Sequence, residues 1–155
     1  MSESKVQHLA QMNIARARFD FDDPRMAGFI AMVDYVNTAA DEWPGFVWRL
    51  SDGSGKLNRG RDPREIVNLS VWRCIDDLHS FVHGGIHKRA LVKRAAWFAP
   101  LAEPYHVMWH IHAGHRPTVE EGFTRLELLR TAGPGAEAFG WELRSNCFDI
   151  PGGSS

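Results

Sequence analysis

Cysteine is scarce: Cys74 and Cys147 are the only two, far apart and without a neighbour at C-x-x-C spacing. That argues against a disulfide framework and predicts two free thiols. Long hydrophobic runs are missing as well. No stretch approaches the roughly 18 apolar residues that a bilayer crossing needs, and the opening "MSESKVQHLAQ" lacks the basic-then-apolar pattern of a signal peptide. A soluble, cytoplasmic protein with no membrane partner is expected. Nor is there an excess of one charge: 18 Lys and Arg stand against 19 Asp and Glu, for a net charge of −1. Without a basic face, nucleic acid is not an expected partner. Internal repeats, low-complexity runs, a catalytic triad and a phosphate-binding loop are all absent from the sequence.

What is present suffices for one core. With 155 residues, 44% of them hydrophobic, the chain suits a single domain over 1–155, with its core over about 8–147 and a flexible tail over 148–155. "LAQMNIARAR" alternates and predicts a strand over about 8–16. In "DDPRMAGFIAMVDYVNTAADEW", Asp23 can cap, Pro24 suits the first helical position, and Met26, Phe29, Ile30 and Val33 recur at helical spacing. "PGFVWRL" reads as a second strand with Phe46, Trp48 and Leu50 on one side, "SDGSGKLNRGRDPRE" as a long mobile loop, and "IVNLSVWR" as a third strand. The run from Ile75 has a helical pattern that Gly84-Gly85 should break into two short helices. "YHVMWHIHAGH" is a strand. Thr118 and Glu121 then form a capping box before a stripe of Val119, Phe123, Leu126 and Leu129, with a stop at Gly133-Pro134. "AFGWELRSNCF" suggests a last strand.

The order β-α-β-β-α-β, with an extra helix before a fifth strand, predicts an α+β, ferredoxin-like antiparallel sheet with helices on one face. Trp48, Trp72, Trp109 and Trp141 fall on predicted strands, so both sheet faces should be apolar. A homodimer packed sheet to sheet would cover the open one.

Several blocks in the right order carry a family resemblance: "AQMNIAR", "DDPRMAGF", "PGFVWRL", "NLSVW", the run from His87 to Trp97-Phe98, and "AGHRPTVEEG". Over roughly residues 8 to 142 the chain resembles the bacterial family called domain of unknown function 3291. That resemblance implies the dimeric α+β barrel superfamily, which includes antibiotic-biosynthesis and heme-degrading monooxygenases. Relatives in it bind an aromatic or porphyrin ligand between sheet and helices; some oxidise it without a cofactor, and others hold heme through a helical histidine. The heme-degrading relatives use a first-strand asparagine, a tryptophan near the third strand and a helical histidine. By position Asn13, Trp72 and His87 are similar.

The candidates follow from both readings. Asn13 shares its strand face with Gln11; Asn68, Ser70 and Trp72 share another, a polar pair beside an aromatic wall that suits a small-molecule pocket. His87 is the expected general base, or the axial ligand if heme binds. Asn68, Trp48, Trp109 and His83 are expected to contact substrate. Lys88, Arg89, Lys93 and Arg94 form a solvated helix face or steer an anionic substrate toward His87. His110 and His112 have a spacing that can hold a metal ion, but no third ligand is at hand, and in the resembled family these positions are usually not histidine. No metal site is therefore expected, and the roles of His106, His110 and His112 stay open. His115 should anchor the strand-to-helix turn through a hydrogen bond or line the pocket mouth. The expectation is a small-molecule-binding protein, a cofactor-independent monooxygenase of an aromatic or hydrophobic substrate; the alternatives are a heme-dependent enzyme and a non-enzymatic ligand-binding module.

Overall fold

The computed structural model describes residues 6–51, 58, 60–85 and 93–141. The alternating segments become β1 (Gln7–Arg16), β2 (Phe46–Arg49), β3 (Glu65–Trp72) and β4 (His106–His112). They pair antiparallel in the order β2-β3-β1-β4, the ferredoxin-like order. With β1 and β3 in the middle, Met12 lies between Leu69 and Val107, and Asn13 between Asn68 and His106.

Alternation then sorts the side chains into two faces. One face, with Ala10, Met12, Ile14, Val67, Leu69, Val71, Val107, Trp109 and Ile111, is wholly apolar. Helix α4 (Val119–Ala132; the intervening α1 to α3 are given below) covers it with Leu126 and Leu129. The expected capping holds: Thr118 Oγ1 accepts the Glu121 N–H at 3.0 Å. The helix stops at Gly133, whose φ of 79° lies in the left-handed region that favours glycine. Gly122 lets the helix come close, because a Cβ there would overlap Met12 Sδ. The face that the sequence left open thus carries a helix of its own, and a second copy docking there meets α4 rather than bare sheet.

The other face carries α1 (Ala27–Asp41) and α2 (Ile75–Val82), with the short α3 (Arg94–Trp97) at one end. Asp23 does cap, accepting the Arg25 N–H at 2.8 Å, but over a 3-10 turn, Pro24–Met26, that leads into α1. The inward stripe of α1 is also rotated from the expected one. Phe29, Met32, Val33, Val36 and Ala40 point inward, while Ile30 is 40% exposed. Of the α1 residues only Ala40 is buried, because α1 stands off the sheet with a cavity beneath it. Helix α2 ends at Val82, just before Gly84-Gly85, as the glycine pair predicts. Residues 86–92, His87 among them, lie outside the described residues.

Three expectations need correction. A β-bulge between Phe46 and Trp48 turns Trp48 to pair with Val71 and pack on the α4 face, away from Phe46, which pairs with Trp72. Cys74 is disulfide-bonded, not a free thiol; separation along the chain does not set distance in the fold, and Cys147 lies outside the described residues. The far end of the loop after β2 is tied down rather than loose. Asn58 O accepts the Val67 N–H at 2.8 Å, and Asn58 Nδ2 donates to Leu50 O at 3.1 Å. As for the fifth strand, Phe139 exchanges backbone hydrogen bonds of 2.7 and 3.0 Å with Met108, and residues from 142 onward lie outside the described residues. Among the described residues no helix is long and apolar enough to cross a membrane.

Candidate functional site

Between the sheet and α1 lies a cavity of about 320 Å³, at the small end of the roughly 300–1,000 Å³ typical of ligand pockets. Aromatic side chains close both ends. At one, Trp72 stacks on Phe81 at 5.4 Å and meets the edge of Phe46 at 5.3 Å. At the other, Phe29 packs on Trp97 at 5.6 Å and on Phe98 at 4.8 Å.

The floor between them is polar, and its hydrogen bonds run along the sheet. Gln11 Nε2 donates to Ser70 Oγ at 2.8 Å and to Asn68 Oδ1 at 2.6 Å, and Trp72 Nε1 donates to the same Ser70 Oγ at 2.9 Å. This network fixes the Trp72 ring and satisfies the buried Gln11 and Ser70. It leaves other groups unspent. Asn68, Asn13 and His106 are register partners on three adjacent strands, so they form one line about 10 Å long at the usual strand spacing. Among the described residues, the Asn13 side chain, the Asn68 amide N–H groups and the His106 ring nitrogens have no hydrogen-bond partner. They line the cavity and are free to bind what enters it.

Among the described residues, charge in the lining is one-sided: Arg49 and Arg94 contribute to it, with no Asp or Glu. Arg49 is already neutralised by Asp41 through bonds of 2.7 and 3.2 Å. The Arg94 guanidinium lies 5.0 Å from the Tyr105 ring centre and 5.5 Å from that of Phe98, with no carboxylate partner among the described residues. Burial pushes His106 down to about 4, since the imidazole is walled in by the cavity and stacked on Trp141 at 5.5 Å. It is neutral at pH 7, able to donate from one nitrogen and accept at the other.

A family model covers residues 8–150 of this chain, and its description is a domain of unknown function, DUF3291. The chain belongs to the DUF3291 family. No curated protein matches it. Among solved structures this DUF3291 chain is similar to Rv0793 from Mycobacterium tuberculosis, at 12% identity and a TM-score of 0.51, over 72% of this chain and 99% of that one. It is similar to a candidate antibiotic biosynthesis monooxygenase from Nitrosomonas europaea, at 12% identity and 0.51, over 76% and 100%. Protein SO0527 from Shewanella oneidensis matches at 11% and 0.51, over 70% and 93%. At such identities the likeness establishes the fold and no reaction. What the DUF3291 chain shares with these structures is the α+β fold, a ferredoxin-like antiparallel sheet with packed helices.

Of the residues singled out in the sequence, Asn13, Asn68 and Trp72 come together on this cavity. Trp109 does not line it: fully buried on the α4 face, it donates from Nε1 to Glu121 Oε2 at 2.9 Å. Trp48 joins it on that face. His83 sits at the α2 C-cap against His79, with ring centres 4.1 Å apart, and is also outside the lining. His115 anchors the turn before α4, as expected, 2.8 Å from Glu121 Oε1. His87, Lys88 and Arg89 lie outside the described residues, whereas Lys93 is exposed and Arg94 turns inward.

The reading of single residues missed His106 and Asn58. For His106 the signal existed, since alternation puts it on the Met108 face, but nothing local says that this face borders a cavity. Heme finds no fit among the described residues. A tetrapyrrole outsizes a cavity of about 320 Å³, and the one described histidine in the lining, His106, stands on the sheet floor in line with two amides. No step is derived through heme. Among the described residues, no three His, Cys, Asp or Glu side chains converge to hold a metal ion.

Proposed function

We propose that this DUF3291 chain binds a small aromatic molecule in the cavity under α1 and oxidises it with molecular oxygen, without a cofactor. The observation that carries this is the floor line Asn68–Asn13–His106, unspent and flanked by aromatic walls. Flat walls hold a fused-ring system, and amide N–H groups placed where charge develops stabilise an enolate or phenolate. In the reaction, a base takes a proton from an activated methylene of the substrate. The carbanion gives one electron to oxygen, the radical pair joins as a peroxide, and protonation with loss of water leaves a carbonyl. The methylene loses both hydrogens; one atom of the oxygen molecule stays as the carbonyl oxygen and the other leaves with those hydrogens as water. His87 is the proposed base, Asn13 and Asn68 hold the anion, and Trp72 orients the ring. A homodimer belongs to the same proposal; the fold class supports it, and sedimentation equilibrium measures it.

Anthrone, a tricyclic compound with such a methylene, is a suitable probe. With wild-type protein, oxygen uptake should exceed the background autoxidation, and His87→Ala and Asn13→Ala should each lower it at least about tenfold. Uptake no faster than in buffer removes the oxygenase reading. Anthrone binding without uptake would point to a ligand-binding module.

A further inference from the structure

Resting on the aromatic-pocket reading, we infer that the cavity selects an aromatic carboxylic acid and that Arg94 is the residue that selects it. Among the described residues, a lining with two guanidiniums and no carboxylate is one-sided in a chain whose net charge is −1. The two arginines are not equivalent. Asp41 holds Arg49 through both of its oxygens, so its charge is already answered. Among the described residues Arg94 is held only by ring faces, those of Phe98 and Tyr105, which leaves its planar fork of N–H donors for an incoming anion.

Position supports the same conclusion. Arg94 starts α3, while Trp97 and Phe98, three and four residues on, build the aromatic end of the cavity together with Phe29. A carboxylate on Arg94 therefore places its attached ring against the cavity side of the Phe29–Phe98 pair, with the rest of the molecule running along the floor toward Asn13 and Asn68. Charge fixes one end of the substrate and the amides meet the other, which sets its orientation in a slot whose walls are otherwise apolar. A neutral ring system of the same shape lacks the first contact and is left to slide.

Sodium 2-naphthoate and 2-naphthamide, nearly equal in shape and different in charge, test this by calorimetric titration of the full chain. The acid should bind wild type about tenfold or more tightly than the amide, as a charge-assisted bidentate contact implies. Arg94→Gln should bring the acid to the level of the amide while the amide keeps its affinity within about twofold, and Arg94→Lys should keep part of the preference. If Arg94→Gln loses the amide too, Arg94→Lys decides: retained preference supports the assignment, lost preference overturns it. Equal binding of acid and amide by wild type overturns acid selection and leaves the aromatic pocket standing. Binding of neither overturns both. A preference that survives intact in Arg94→Gln removes Arg94 from the role.

Discussion

The two faces of this sheet are made from the same strands and differ by one residue step. Toward α4, β1 presents Ala10, Met12 and Ile14; toward α1 it presents Leu9, Gln11, Asn13 and Ala15. The first face is closed by apolar packing, with the bond from Trp109 to Glu121 at its edge. The second keeps three amides, a hydroxyl and an imidazole in its middle, under a helix that packs at the ends of the face and leaves a cavity between. A protein that needed only a second core would fill that middle with Val and Leu, since buried polar groups without partners cost free energy and apolar ones contribute it. The α4 face therefore carries stability, and the α1 face carries the proposed binding site.

This contrast can be broken from either side. The largest effect is expected for Leu126→Ala, fully buried under α4. Urea unfolding should show a loss of about 2–5 kcal/mol, with ligand affinity on the opposite face unchanged. Next comes Gly122→Ala, whose Cβ would overlap Met12 Sδ. Helix and strand must move apart or the methionine must turn, at about 1–3 kcal/mol. Aromatic-acid binding that fell with stability in either variant would show that the faces are not separable.

A third effect depends on pH and belongs to the cavity face. His106 is held down to about 4 in the fold by burial, against an ordinary 6.5 in an unfolded chain. Above pH 6.5 it is neutral in both states. As pH falls from 6.5 toward 4 the unfolded chain takes up the proton and the folded one does not, so stability declines through that window. His110 shifts in the same direction from the same cause and adds to the decline. Unfolding curves for His106→Asn should therefore lose less stability than wild type between about pH 7 and pH 4.5. Identical slopes would mean that His106 is hydrated.

The smallest effect on stability is expected at the centre of the site. Asn13→Ala removes an amide that bonds to nothing among the described residues, so the unfolding free energy should change by less than about 1 kcal/mol. Binding of an aromatic anion should nonetheless weaken about tenfold, the cost of one hydrogen bond to a charged group. A large loss of stability instead would make Asn13 a structural amide.

Much of this was readable from the residues because it depends on local period. Alternation put Gln11 with Asn13, and Asn68 with Ser70 and Trp72, and those sets do face one cavity. The Thr118–Glu121 cap and the Leu126–Leu129 stripe are also local features. The pattern failed where one inserted residue or one distant neighbour decides. The bulge before Trp48 reverses that side chain with no change in composition, and the α1 stripe is rotated because helical spacing alone admits neighbouring phases.

Sequence by itself determined the elements, their order and the chemical character of each strand face, since these follow from side chains two or three to four positions apart. Tertiary structure decided which face α4 closes, that a cavity separates α1 from the middle of the sheet, and that Asn13, His106 and Arg94 meet at that cavity. Pairing of β1 with β4 joins Asn13 to His106, and the bridge between Ala17 and Phe98 ties α3, with Arg94, to the end of β1 beside the same cavity.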